Sequence, residues 1–131
     1  SVAVDFDVAY TGRQMVDCIV TAESFVAELA AARTFARADW IEPLRAQGLI
    51  KGGSADNAIL LMEDGPSSPW RMGNELARHK ALDVVGDLAL LTAADGGVLQ
   101  AHIIAVKAGH LLHRRWMEEC LRRDALRCSR V

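Results

Sequence analysis

The chain has 131 residues, 51% of them hydrophobic, and 15 basic against 17 acidic side chains leave a net charge of −2. That length supports a single domain, 1–131, with a real core, and the composition excludes disorder. No apolar run reaches the roughly 18 residues of a membrane span, and the charge excludes a surface built to bind nucleic acid.

The N-terminus lacks the basic start and apolar stretch of a signal peptide, so a cytoplasmic protein is expected. Cys18, Cys120 and Cys128 form no Cys-x-x-Cys pair and are expected as reduced thiols. Arg114, Arg115, Arg122 and Arg123 share their segment with Glu118 and Glu119, which reads as a solvated face of mixed charge.

Val2, Val4, Phe6 and Val8 alternate with Ala3, Asp5 and Asp7, the period of a strand with one buried face. Tyr10 to Arg13 then reads as a turn and Met15 to Val20 as a second strand paired with the first. Thr21 is placed to cap a helix carrying Phe25, Val26, Leu29 and Ala32 on its apolar side. Arg33 to Arg37 follows as a short extended piece, Ile41 to Gln47 as a short helix closed by Gly48, and Ala58 to Met62 as a strand. Gly52-Gly53-Ser54 reads as a tight turn, because the spacings of a phosphate-binding loop are missing. Glu63 to Ser68, with Gly65 and Pro66, is a surface loop.

A long helix from about Asn74 to Leu91 should turn Leu76, Leu82, Val85, Leu88 and Ala89 inward, ending at Ala94-Asp95-Gly96-Gly97. Val98 to Val106 is expected as a strand. An amphipathic helix from near Ala108 is expected to bury Leu111, Leu112, Trp116, Cys120 and Leu121. This order predicts an α+β fold, a two-layer sandwich in which a mainly antiparallel sheet carries helices on one face.

Inside the long helix, His79, Asp83 and Asp87 recur every four residues, which places them on neighbouring turns of one face. An imidazole and a carboxylate so spaced can bind one metal ion, and the second carboxylate can orient another group. The same spacing also suits a solvated face on which Asp83 pairs with Lys80 or Arg78. Lys107-Ala108-Gly109-His110 sits where a strand gives way to a helix, and free amides there favour an anion.

Four blocks, taken in order, resemble the C-terminal domain of the zinc-dependent UDP-3-O-acyl-N-acetylglucosamine deacetylases of lipid A biosynthesis. They are Ala32-Arg33-Thr34-Phe35; Gly48-Leu49, Gly52-Gly53-Ser54 and Asp56-Asn57-Ala58-Ile59; Arg78-His79-Lys80 with Asp83, Gly86 and Asp87; and Lys107 with Gly109-His110. The resemblance covers about Phe25 to Leu121. It implies that His79 and Asp83 are two of three protein ligands to zinc, and that Asp87 holds His110 as the proton donor to the leaving amine. It further implies that Thr34 helps bind the oxyanion. Lys80, Lys107, Phe35, Gly53 and Ser54 would then line the site of the UDP-linked acylated glucosamine, and a βαβ unit at about 33–62 would form the acyl channel. A histidine bonded to a carboxylate stays charged more readily, which suits a proton donor.

The chain departs from the family pattern in one major respect. The remaining zinc ligand and the general base form a Glu-His pair in an N-terminal domain. None of the four histidines here, His79, His102, His110 and His113, follows a glutamate. His102, on an expected strand, falls at a family position that does not bind metal. The sequence is therefore compatible with a piece of a two-domain enzyme, with half of a split enzyme whose partner brings Glu-His, or with a catalytically silent nucleotide-sugar or acyl-chain binding module. The isolated chain is expected to be inactive. Arg37, Ala55, Trp40 and Pro43 also depart from the family's usual residues, giving the acyl channel a wider or more polar entry, and Ala108 replaces a usual serine.

Overall fold

The computed structural model describes residues 1–48, 52, 54–93 and 96–127. Leu49, Gly53, Ala94, Asp95 and Cys128, all used in the sequence reading, lie outside the described residues. The rest form a mixed α+β fold with two small sheets.

Alternation at the N-terminus produces β1 (Val2–Asp5), with Val2 and Val4 buried and Ala3 and Asp5 only partly covered. It pairs antiparallel with β2 (Arg13–Val16), setting Val2 opposite Val16 and Asp5 opposite Arg13. On its other side β1 pairs parallel with β5 (Ala105–Val106). Both later strands differ from expectation. The second strand was expected over Met15 to Val20, but Val16 is its residue that reaches the core, and Asp17 breaks the apolar run. The strand expected over Val98 to Val106 is confined to two residues, because its register sets Ala105 opposite Val2 and leaves 98–104 beyond the start of β1.

Thr21 caps the next helix with a reciprocal pair of bonds: the Ser24 amide donates to Thr21 Oγ1 at 3.2 Å and the Thr21 amide to Ser24 Oγ at 2.8 Å. α1 (Ala22–Ser24) continues into a π-helical stretch (Phe25–Leu29) that buries Leu29 and leaves Val26 exposed. β3 (Thr34–Arg37), α2 (Ala38–Ala46) and β4 (Ala58–Leu61) then trace a βαβ path, with the two strands parallel and Phe35 opposite Ile59. α2 starts three residues before the expected Ile41 and contains Pro43. Gly48 follows α2 with a φ of 69°, a left-handed conformation that favours glycine, and its amide donates to the Arg45 carbonyl.

α3 (Glu75–Ala89) packs on β1 and β2 and touches β3, the π-helical stretch and α4 (His110–Arg122). Its buried stripe is Leu76, Ala77, Ala81, Val84 and Leu88, and the small alanines let the helix lie close to the sheet. Leu82 and Val85 are only partly covered, and Ala89 is exposed rather than inward. α4 differs most. Its buried residue is His113, with Met117 partly covered against the core, while Leu111, Leu112, Trp116 and Leu121 are exposed and Cys120 is half-buried.

Strand pairing is mixed rather than mainly antiparallel: among the described residues β1 with β2 is antiparallel, while β1 with β5 and β3 with β4 are parallel. No described helix is long and apolar enough to cross a membrane.

One buried ion pair ties the start of β3 to the start of α3. Arg33 Nε donates to Glu75 Oε1 at 2.9 Å and Arg33 Nη2 to Glu75 Oε2 at 3.1 Å. The remaining guanidinium donors reach the Ala55 and Pro69 carbonyls and Ser68 Oγ, and the Arg33 and Arg71 amides also bond Glu75. A buried charge pair is tolerated only when its polar atoms are so satisfied.

Candidate active site

α3 lays His79, Lys80, Asp83 and Asp87 along one edge, and the N-terminus of α4 brings His110 and His113 against them. His79 Nδ1 lies 3.2 Å from the Ala32 carbonyl oxygen. A carbonyl only accepts, so Nδ1 carries the proton of that bond and Nε2 is the nitrogen turned toward α3. That Nε2 lies 3.4 Å from Asp83 Oδ1. The other Asp83 oxygen accepts from Lys80 Nζ at 2.7 Å and lies 3.8 Å from His110 Nε2.

One turn further along α3, Asp87 Oδ2 accepts from two rings at once, His110 Nδ1 and His113 Nδ1, each at 2.7 Å. Burial pushes the Asp87 carboxyl up, but the hydrogen bonds from His113 and His110 and the positive character of both rings hold it below its ordinary value. His110 is exposed at 68% of its side chain, whereas His113 is exposed at only 5%.

Two groupings could hold a metal ion. His79 Nε2 and Asp83 Oδ1 face each other at 3.4 Å, an imidazole nitrogen and a carboxylate oxygen that could both ligate one ion. Asp87, His110 and His113 also present one ligand atom each within 4.8 Å of one another, a triad capable of binding metal. In that triad both rings sit at hydrogen-bond distance from the same oxygen, so the atoms are already engaged with one another.

Phe35, on β3, sets its ring edge-on to His79 at 5.9 Å between centroids, and Lys80 Nζ lies 5.5 Å from the Phe35 centroid. Thr34 begins the same strand, two residues after the carbonyl that holds His79, and is exposed. Lys107 has a left-handed backbone, φ 50°, rare for a residue with a side chain and worth noting beside a candidate site. Its Nζ is paired to Asp5 Oδ2 at 3.1 Å. Ser54 serves the turn before β4, where its amide donates to Asn57 Oδ1 and its hydroxyl accepts from the Asp56 amide.

Sequence reasoning brought together His79 with Asp83 and Asp87 with His110, but passed over His113, the Ala32 carbonyl and the Arg33–Glu75 pair. The signal for His113 was its spacing: three residues after His110, it falls on the same helix face. Beside His110 a groove of about 350 Å³ is lined by Gly109, His110, Leu111, Leu112 and Arg115.

An α+β fold with a metal-capable histidine and carboxylate cluster between two helices defines the class, and comparison with known proteins narrows it. Residues 1–122 match the model of one family, LpxC: UDP-3-O-acyl N-acetylglycosamine deacetylase, and the chain belongs to that family. It is 47% identical over 117 residues to a UDP-3-O-acyl-N-acetylglucosamine deacetylase of Nostoc sp., covering 86% of this chain and 40% of that protein. It is 45% identical over 107 residues to the enzyme of the same name from Solibacter usitatus, covering 80% of this chain and 35% of that protein. A probable UDP-3-O-acyl-N-acetylglucosamine deacetylase 1, mitochondrial, of Arabidopsis thaliana is 46% identical over 93 residues, covering 69% of this chain and 28% of that protein. The chain thus spans 40% or less of the length of these relatives.

Proposed function

We propose that this chain is the C-terminal half, with a two-layer sandwich architecture, of a zinc-dependent deacetylase that removes the N-acetyl group of UDP-3-O-acyl-N-acetylglucosamine in lipid A biosynthesis. The observation that carries the proposal is the pairing of His79 Nε2 with Asp83 Oδ1, one helical turn from a second carboxylate bonded to His110. His79 and Asp83 would hold zinc, with the third ligand and the general-base glutamate supplied by an N-terminal half carrying Glu-His. When bound there, zinc supplies a Lewis acid and lowers the pKa of a coordinated water to about 7.

The chain's own residues account for the rest. Ala32 fixes the His79 tautomer, and Lys80 steadies Asp83 through its second oxygen. Asp87 engages His110 through Nδ1, which leaves Nε2 free to hand a proton to the departing amine nitrogen. The Thr34 hydroxyl donates to the oxygen of the scissile carbonyl as that oxygen gains charge. Lys80, Lys107, Phe35 and Ser54 would line the nucleotide-sugar and acyl portions, with Gly53 assigned to that site by the family resemblance alone, and the βαβ unit would carry the acyl channel.

The N-terminal half is the proposed cover of the outer face of α4. Leu111, Leu112 and Trp116 leave that helix with exposed apolar surface on one side, and the relatives have more than half their length to place against it. Half-buried free thiols at Cys18 and Cys120 accord with a cytoplasmic setting.

The test is an acetate-release assay on UDP-3-O-acyl-N-acetylglucosamine, with the chain alone and mixed with the N-terminal half of the Nostoc relative. Activity that appears only in the mixture supports the proposal. A mixture that binds the substrate and releases no acetate identifies a silent binding module instead.

A further inference from the structure

The buried imidazole of His113 has no place in the mechanism above, yet it sits on the same oxygen as the proposed proton donor. Its Nδ1 lies 2.7 Å from Asp87 Oδ2, matching the distance from His110 Nδ1. Its Nε2 is buried with no hydrogen-bond partner, alone in this respect among the described side chains. A carboxylate oxygen only accepts, so the short contact requires a proton on Nδ1. A ring protonated on Nε2 alone would bury an unpaired N–H and lose the Asp87 bond.

The two rings differ in what holds them. His113 is enclosed beside the core, and the ring planes of His110 and His113 meet edge to face with centroids 6.1 Å apart. His110 is exposed on the groove side. A side chain free to swing is thus bonded to a carboxylate that is itself fixed from behind by an immobile donor.

We infer that His113 is a positioning residue: its Nδ1–H pins Asp87 Oδ2 in the direction from which that oxygen engages His110. The inference rests on the assignment of His110 as the proton donor. Without the His113 bond, Asp87 is free to turn about its side-chain torsions, and the His110 ring loses its fixed orientation relative to the scissile bond. A carboxamide at position 113 places an N–H close to where imidazole Nδ1 stands, so asparagine preserves the function and alanine does not.

Two measurements test it. In the 131-residue chain, proton–nitrogen correlation spectra of the histidine rings should show His113 protonated on Nδ1. The pattern should survive His110→Ala, and the Nδ1 proton should shift in Asp87→Asn. A ring protonated on Nε2 alone overturns the inference before any variant of His113 has to fold. In the enzyme reconstituted with zinc and the N-terminal half, His113→Ala should lower kcat by about 10- to 100-fold, the worth of one hydrogen bond to a charged group, with KM unchanged. His113→Asn should restore most of that loss, and His113→Ala should add nothing in an Asp87→Asn background. Full additivity, or a loss in His113→Asn equal to that in His113→Ala, overturns the inference. If His110→Ala leaves kcat intact, the assignment of the proton donor has failed. If His110→Ala abolishes turnover and His113→Ala does not alter it, the positioning role alone has failed.

Discussion

Arg33 and Glu75 meet in a buried, two-pronged ion pair that joins the residue just before β3 to the first turn of α3. The carbonyl of Ala32, adjacent to Arg33 in the chain, is the one that fixes the His79 ring, four residues beyond Glu75. The pair therefore locks the register between the strand that carries Thr34 and Phe35 and the helix that carries the candidate metal ligands. Removing one partner leaves the other charge buried and uncompensated. Glu75→Ala or Arg33→Ala should cost about 3–5 kcal/mol of unfolding free energy, read by urea denaturation. A loss below about 1 kcal/mol would show that the register is held elsewhere.

The same pair sets the acid stability. Burial pushes Glu75 up, but bonds from the Arg33 side chain and from the Arg71 and Arg33 amides hold it below its ordinary value of 4.5. The folded value lies beneath the unfolded one, so the contribution is complete above the unfolded value and disappears as pH falls through the folded value. Unfolding free energy should decline on the acid side of 4.5, and the decline should be shallower in Glu75→Gln, which is also less stable at neutral pH. Parallel pH profiles for the two proteins would refute this.

Exposed pairs should behave differently. Arg37 with Asp39 and Arg122 with Glu119 have well-formed contacts, yet each lies in solvent where salt screens it. Neutralising Asp39 or Glu119 should leave thermal stability close to wild type, and any shift should vanish in high salt.

The α4 stripe gives a separable prediction. Leu112→Asp should leave the stability of the isolated chain within about 0.5 kcal/mol, because the side chain is exposed, while weakening association with the N-terminal half by about tenfold or more. Titration calorimetry of the two halves measures the second quantity. Unchanged affinity would remove α4 from the interface.

His110→Ala should lower kcat of the reconstituted enzyme by about 10²- to 10⁴-fold, the range for a lost general acid, while bound zinc, measured by elemental analysis, stays at the wild-type level. Joint loss of zinc and activity would instead make His110 a ligand.

Much of this arrangement could be read from residue spacing. The alternation at Val2 and Val4 gives β1, Thr21 gives the cap of α1, and the four-residue recurrence of His79, Asp83 and Asp87 gives the polar edge of α3. The outer face of α4 was misread for a physical reason. Apolar residues at Leu111, Leu112 and Trp116 show that a face needs cover, but not whether this chain supplies it. β5 shrank because alternation sets a strand's faces while its length depends on a partner, here the few residues of β1. Arg33 with Glu75 was invisible for a simpler reason: it joins segments distant in sequence with no local period to mark it, whereas His113 was marked by its spacing from His110 and passed over.

The most direct test of the central claim is zinc affinity in the reconstituted enzyme, compared across single alanine variants. His79→Ala and Asp83→Ala should each weaken zinc binding by more than about 100-fold, a larger loss than removal of an outer partner causes, while His113→Ala should leave affinity close to wild type. Zinc binding that survives His79→Ala and Asp83→Ala but is lost in His113→Ala would place the metal in the Asp87, His110 and His113 cluster, and would contradict the account.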